Sequence, residues 1–296
     1  MTKMRKIQLF LVCASLSFSS GADRWRLVRN TEFLSGNREF RLTVEPDEDW
    51  QLKPGHCHAT LYRGKEKLWS RYLVNDANPV RVYVSDSGRY IVTMDDWGRL
   101  GDIPIVVYGR SGSLVRVHSL SSLGIKREDQ ARMTGSRSGY HWNEHSINFF
   151  CHDSRVFYIR LKINKTILID LRSGYAHGED ESNTYGIDRI GREEWGRIAK
   201  ESRTKARKMA LLFLKSEDKD ERITGAVICG QEKIEESVPL LRKLLDDEAF
   251  EKRQYTEKIV QVFSVRKAAV EALKSMGMDV ESVTTTKEIP VPLPNR

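Results

Sequence analysis

With 296 residues, 40% hydrophobic and 30% charged, the chain has room for two domains and the composition of an ordinary soluble protein. Its formal charge of +8 falls to +5 without residues 1–22, which hold Lys3, Arg5, Lys6 and no acid. That modest surplus, with no recognition module, excludes nucleic acid as the expected partner. No G-x-S-x-G elbow, phosphate loop or dinucleotide fingerprint occurs, so none of the chemistry those motifs support is expected.

The chain opens with Lys3, Arg5 and Lys6, then the apolar run Ile7–Phe18, then Ser19-Ser-Gly-Ala22. A basic cap, a short apolar core and small residues predict a secretory signal peptide over residues 1–22, cleaved near Ala22. The run is shorter than the roughly 20 apolar residues a membrane span needs. The mature protein is therefore expected to be periplasmic or extracellular, without an integral membrane segment.

Residues 23–174 read as an antiparallel β domain. Short runs rich in Val, Ile, Tyr, Leu and Phe, such as Phe40–Val44, Arg81–Val84, Tyr90–Met94, Ile105–Tyr108 and Val156–Ile159, alternate with Gly, Asp, Asn and Ser turns. Asp86-Ser-Gly88 and Arg110-Ser-Gly112 supply hairpin turns, because glycine tolerates positive φ. Three pseudo-repeats align at Leu61–Trp69, Val107–Val115 and Arg160–Leu168, offset by 46 and 53 residues. Each is read as strand, polar turn, strand. The segment Val84–Val115 resembles one blade of a β-propeller. That resemblance implies repeated meanders, but three units would leave a closed ring open. An open propeller-like meander or a sandwich is the expectation.

Within this region, His56-Cys57-His58 and Cys151-His152-Asp153 place thiols and imidazoles on strands, and the compartment permits one disulfide. Cys57 and Cys151 are the expected pair. Cys229, at an apolar helix position, is expected to be buried. His141-Trp-Asn-Glu144-His145 matches the inverted zinc-peptidase pattern, in which two histidines on one helical face bind the metal and the Glu deprotonates its water. Gly135 and Gly139 just before it, and the strand-like run Ile147–Phe150 just after, leave little room for that helix. No metal or cofactor is therefore expected. A zinc hydrolase on His141, Glu144 and His145 is the alternative reading.

Residues 175–190 are polar and aperiodic and read as a linker. Beyond them the hydrophobic period changes from two to about 3.6. Helices are expected near 192–215, 219–230, 235–248 and 264–277, with Gly230 and Gly277 as C-terminal caps. Glu221–Cys229 and Val265–Leu273 superpose as one helix written twice, Arg222 on Arg266 and Gly225 on Ala269. Between them, Ser237–Asp247 is a second amphipathic helix containing Pro239. This pattern resembles a HEAT-like repeat of the short bacterial type, which implies stacked helix pairs used for binding without chemistry of their own. Residues 249–262 read as an insert lengthening the repeat, and residues 281–296, rich in Thr and Pro, as a loose tail.

The fold expected is thus an antiparallel β domain joined at 175–190 to an all-α HEAT-like repeat domain over 191–280. The function expected is non-catalytic binding of a protein or an anionic envelope polymer. Arg222, Arg242, Lys243 and Arg266 mark the expected surface. Asp246-Asp247 and the basic run Arg197–Lys208 read as solvated.

Overall fold

The computed structural model describes residues 30–46, 57–75, 79, 81–94, 103–133, 135–136, 139–178, 190–254 and 258–289. The expected signal segment, His56 and the end of the tail lie outside them.

The first sheet is a meander of β1 (Thr31–Leu34), β2 (Phe40–Glu45), β3 (His58–Arg63) and β4 (Glu66–Tyr72). The second repeats the plan with β5 (Arg81–Val84), β6 (Ile91–Met94), β7 (Ile105–Tyr108) and β8 (Leu114–His118). A connector follows, holding one helical turn, α1 (Arg127–Gln130), and a small hairpin of β9 (Gly135–Ser136) and β10 (Gly139–Tyr140). The third sheet is β11 (Ile147–Cys151), β12 (Val156–Leu161), β13 (Lys165–Asp170) and β14 (Ala176–Gly178). The expected linker therefore begins inside a sheet, because Ala176–Gly178 pair with β13.

Period-two alternation decides how the sheets stack. On the second sheet, Ile91, Val106 and Tyr108 point toward Leu42, Val44 and Leu61 of the first. The intervening residues Val92, Met94, Ile105 and Val107 point the other way, toward Phe157, Ile159 and Ile167 of the third. On the third sheet, Val156, Tyr158 and Leu168 turn away again and pack on helices. Strands buried on both faces read as continuous apolar runs, as IVVY in β7 does. The first sheet's remaining face is polar. Arg41 lies over the Tyr62 ring at 4.7 Å, and Thr60 and Ser70 share a hydrogen bond of 2.8 Å. The three sheets thus form a row, with a polar face at one end and helices at the other.

Two of the three pseudo-repeats fall in phase. Leu61–Trp69 is β3 to β4 and Val107–Val115 is β7 to β8. Arg160–Leu168, however, spans β12 to β13, the second and third strands of its sheet. A better repeat lies at the first hairpin turns. Ser35 and Ser85 each accept a hydrogen bond at Oγ from the backbone of Phe40 and Tyr90, both at 3.0 Å.

The C-terminal part comprises α2 (Arg192–Phe213), α3 (Lys219–Gln231), α4 (Val238–Lys243), β15 (Glu251–Gln254), β16 (Ile259–Val262), α5 (Ser264–Ser275) and β17 (Thr286–Ile289). Asp218 caps α3, accepting from the backbone of Asp220 and Glu221. Gly277, at φ 78, ends the chain segment after α5, as expected. Gly230 does not cap: it lies inside α3 against α5, and Lys233 takes the left-handed position at φ 48. This part is not all-α. The supposed insert is the β15–β16 hairpin, and part of the supposed loose tail, Thr286–Ile289, adds β17 along β16. Alternating Val260 and Val262 give β16 a strand period, where the sequence suggests only an insert.

Candidate binding cleft

A cleft of about 650 Å³ opens where the third sheet meets the helices. Its floor is the seam of α3 and α5, with Ile223, Val227, Ala268 and Ala272. These helices approach closely because both carry small residues at the contact. A Cβ on Gly230 would sit 2.6 Å from the Ala272 backbone. One wall is the β15–β16 hairpin, with Glu251 and Arg253, and the other is the turn holding Glu144 and His145, with Lys162. Lys267 and Glu271 project from α5 at the rim.

Polar contacts hold the walls in place. Arg160 is buried on the helix-facing side of β12 and pairs with Glu232 just beyond α3 at 2.5 Å. The Gln231 amide donates to the Lys162 carbonyl, and the Lys162 ammonium pairs with Glu144. His145 Nδ1 lies 3.5 Å from the Thr224 hydroxyl on α3. Burial pushes the His145 imidazole below its usual pKa, although the Glu144 carboxylate opposes that shift. On the far wall, a 2.6 Å hydrogen bond from Lys219 holds the Glu251 carboxyl below its ordinary range. The cleft is lined by charges of both signs, several already paired.

The sequence placed Glu144 and His145 in a metal-ligand pattern. Residues 142–145 form turns instead of a helix, with His145 at φ 52. Glu144 is bonded to Lys162, and Trp142 fills the core between the second and third sheets. Among the described residues, no group of three His, Cys, Asp or Glu side chains is arranged to hold a metal ion. Two residues of the motif, Glu144 and His145, line the cleft instead.

The four basic residues expected to form a surface divide into two pairs. Arg222 and Arg266 are structural, converging on Asp247. Arg222 meets its carboxylate at 2.8 Å, and Arg266 donates to its carbonyl at 2.6 Å while lying over the Phe263 ring. Asp247, read as solvated, is the shared anchor. Arg242 and Lys243 are exposed on α4, away from the cleft lining. Cys57 and Cys151 form no disulfide. Cys57 is buried between the first two sheets, whereas Cys151 lies against the helical cluster, so two sheet layers separate them. Cys229 is buried, and burial pushes its thiol up to about 12. The basic run on α2 is exposed in part, but Arg197 pairs with Glu194 and Glu201.

No protein-family model matches the chain, and no curated protein matches it. Among solved structures, it is similar to the crystal structure of HIRA(644-1017), at 11% identity and a TM-score of 0.25, over 84% of this chain and 92% of that one. A superposition that loose bears on neither fold nor function. No helix among the described residues is long and apolar enough to cross a membrane.

Proposed function

We propose that the chain is an exported, non-catalytic binding protein that holds a segment of a protein partner in the cleft between its third sheet and its helices. The observation that carries this reading is the lining itself: an apolar floor of Ile223, Val227, Ala268 and Ala272 between walls of both charge signs. A peptide segment offers apolar side chains for such a floor and mixed charges for such walls, whereas an anionic polymer offers only one sign. The three sheets are read as propeller-like blades in an open row, and α3, α4 and α5 as a short HEAT-like unit. Two features support the second reading. The α3–α5 seam is built on small residues, and Arg222 and Arg266, equivalent in the internal superposition, share Asp247. The charged N-terminal cap and apolar run support export.

The test is capture from the native envelope with the mature protein as bait, comparing cleft and control variants. Lys267 and Glu271 are largely exposed and pair loosely at 3.9 Å, so Lys267→Glu and Glu271→Lys leave the fold intact. Each is expected to lose the partner that the unaltered protein retains. Arg242→Glu and Lys243→Glu on α4 are expected to keep it. Capture that is indifferent to the cleft changes but abolished on α4 would move the binding surface to α4.

A further inference from the structure

A second pocket, of about 420 Å³, lies between the hairpin turns of the second and third sheets. Arg89 and Tyr90 line it from the β5–β6 turn, His152 to Arg155 from the β11–β12 turn, and Arg172 from the β13–β14 turn. In an antiparallel meander these turns share one end of their sheets, so the stack itself brings the three arginines together.

We propose that this pocket binds a phosphate-type oxyanion. Three arginines from three turns line the pocket with a single lining carboxylate, Asp153. The nearby acids are engaged: buried Asp170 stands 3.9 Å from Arg155, and Glu194 is shared by Arg197 and His152. Planar guanidinium forks suit a tetrahedral oxyanion, since each can donate two parallel hydrogen bonds to it. The turn geometry supports the assignment. His152, Asp153 and Ser154 hold φ of 50, 51 and 62, three successive left-handed residues with no glycine among them. The matching turn of the second sheet takes that conformation at Gly88. Non-glycine residues kept there are concentrated at ligand clamps.

Calorimetric titration of the purified protein with inorganic phosphate is the test. Saturable binding is expected, weakened about tenfold or more by Arg89→Ala and by Arg172→Ala, with Arg172→Lys intermediate. Both arginines are exposed, so the variants fold, and unchanged thermal unfolding checks this. Arg242→Ala, outside the pocket, should bind as the unaltered protein does. Co-sedimentation with phosphatidylcholine vesicles, with and without phosphatidic acid, identifies the carrier. Arginine-dependent sedimentation only with phosphatidic acid assigns the oxyanion to a lipid headgroup, and titration without sedimentation assigns it to a soluble phosphate. No saturable binding in either arm, or binding unaffected by the Arg89→Ala, Arg172→Ala double variant, would overturn the assignment.

Discussion

His118 is buried and Asp247 nearly so, in different parts of the chain, and each makes a sharp prediction. Burial, followed by the nearby Arg116 charge, lowers the His118 pKa to about 4. An unfolded imidazole titrates near 6.5, so below that pH the unfolded chain binds a proton that the folded chain refuses. Stability should therefore hold above pH 6.5 and fall by about 3 kcal/mol between pH 6.5 and 4 from this residue alone. Denaturant titrations across that window should show a shallower slope for His118→Asn. An unchanged slope would place the proton uptake elsewhere. Asp247 is nearly buried beside Arg222, and removing one partner of such a pair strands the other charge. Asp247→Ala should cost about 3–5 kcal/mol, against within about ±0.5 kcal/mol for Arg242→Ala. The internal repeat paired Arg222 with Arg266 but read both as part of a binding surface, because their shared partner was hidden. Two acids at a helix end read the same whether they face water or an arginine.

At the scale of the element, Gly225 tests how closely α2 and α3 approach. A Cβ there would lie 2.7 Å from the Ala210 carbonyl oxygen. Gly225→Ala gains up to about 1 kcal/mol in helix propensity, but overpacking against backbone costs about 1–3 kcal/mol. The contact should win, giving a net loss in thermal unfolding. Ala269, fully buried at the equivalent position, should lose a similar 1–3 kcal/mol on Ala269→Leu, while exposed Lys267→Leu stays within about ±0.5 kcal/mol. Equal effects at 267 and 269 would mean that α5 packs on another face. Helices α2 and α5 were legible because their apolar residues recur near 3.6, and α3 because it opens on a capping aspartate, whereas the helix expected at 235–248 is α-helical only over Val238–Lys243. The strands after them were not. Glu251–Gln254 carries no apolar alternation, and β17 is specified by the hydrogen bonds of β16, which lies outside its own local sequence.

At the scale of the molecule, three apolar clusters join sheet to sheet to helix in a row, and this order explains the cleft. The turns and the apolar alternation that build the sheets are visible in the sequence. Which face meets which neighbour is not, since β7 and β12 are apolar on both. Glu144 and His145 were the only part of the cleft that the sequence singled out, because most of its other residues come from the β12–β13 turn, α3, α5 and the β15–β16 hairpin, farther along the chain. The third sheet and the helices form one body, with Ile147, Phe149, Tyr158 and Leu168 in the same cluster as Trp195, Ile223, Leu241 and Leu273. Native-state hydrogen exchange across a denaturant series tests it most directly. Amides of β12, β13 and α3 should merge into a single opening free energy, and Glu232→Ala, which removes the carboxylate paired with buried Arg160, should lower all three together. Opening of α3 at its own lower free energy, with β12 and β13 unmoved by Glu232→Ala, would contradict it.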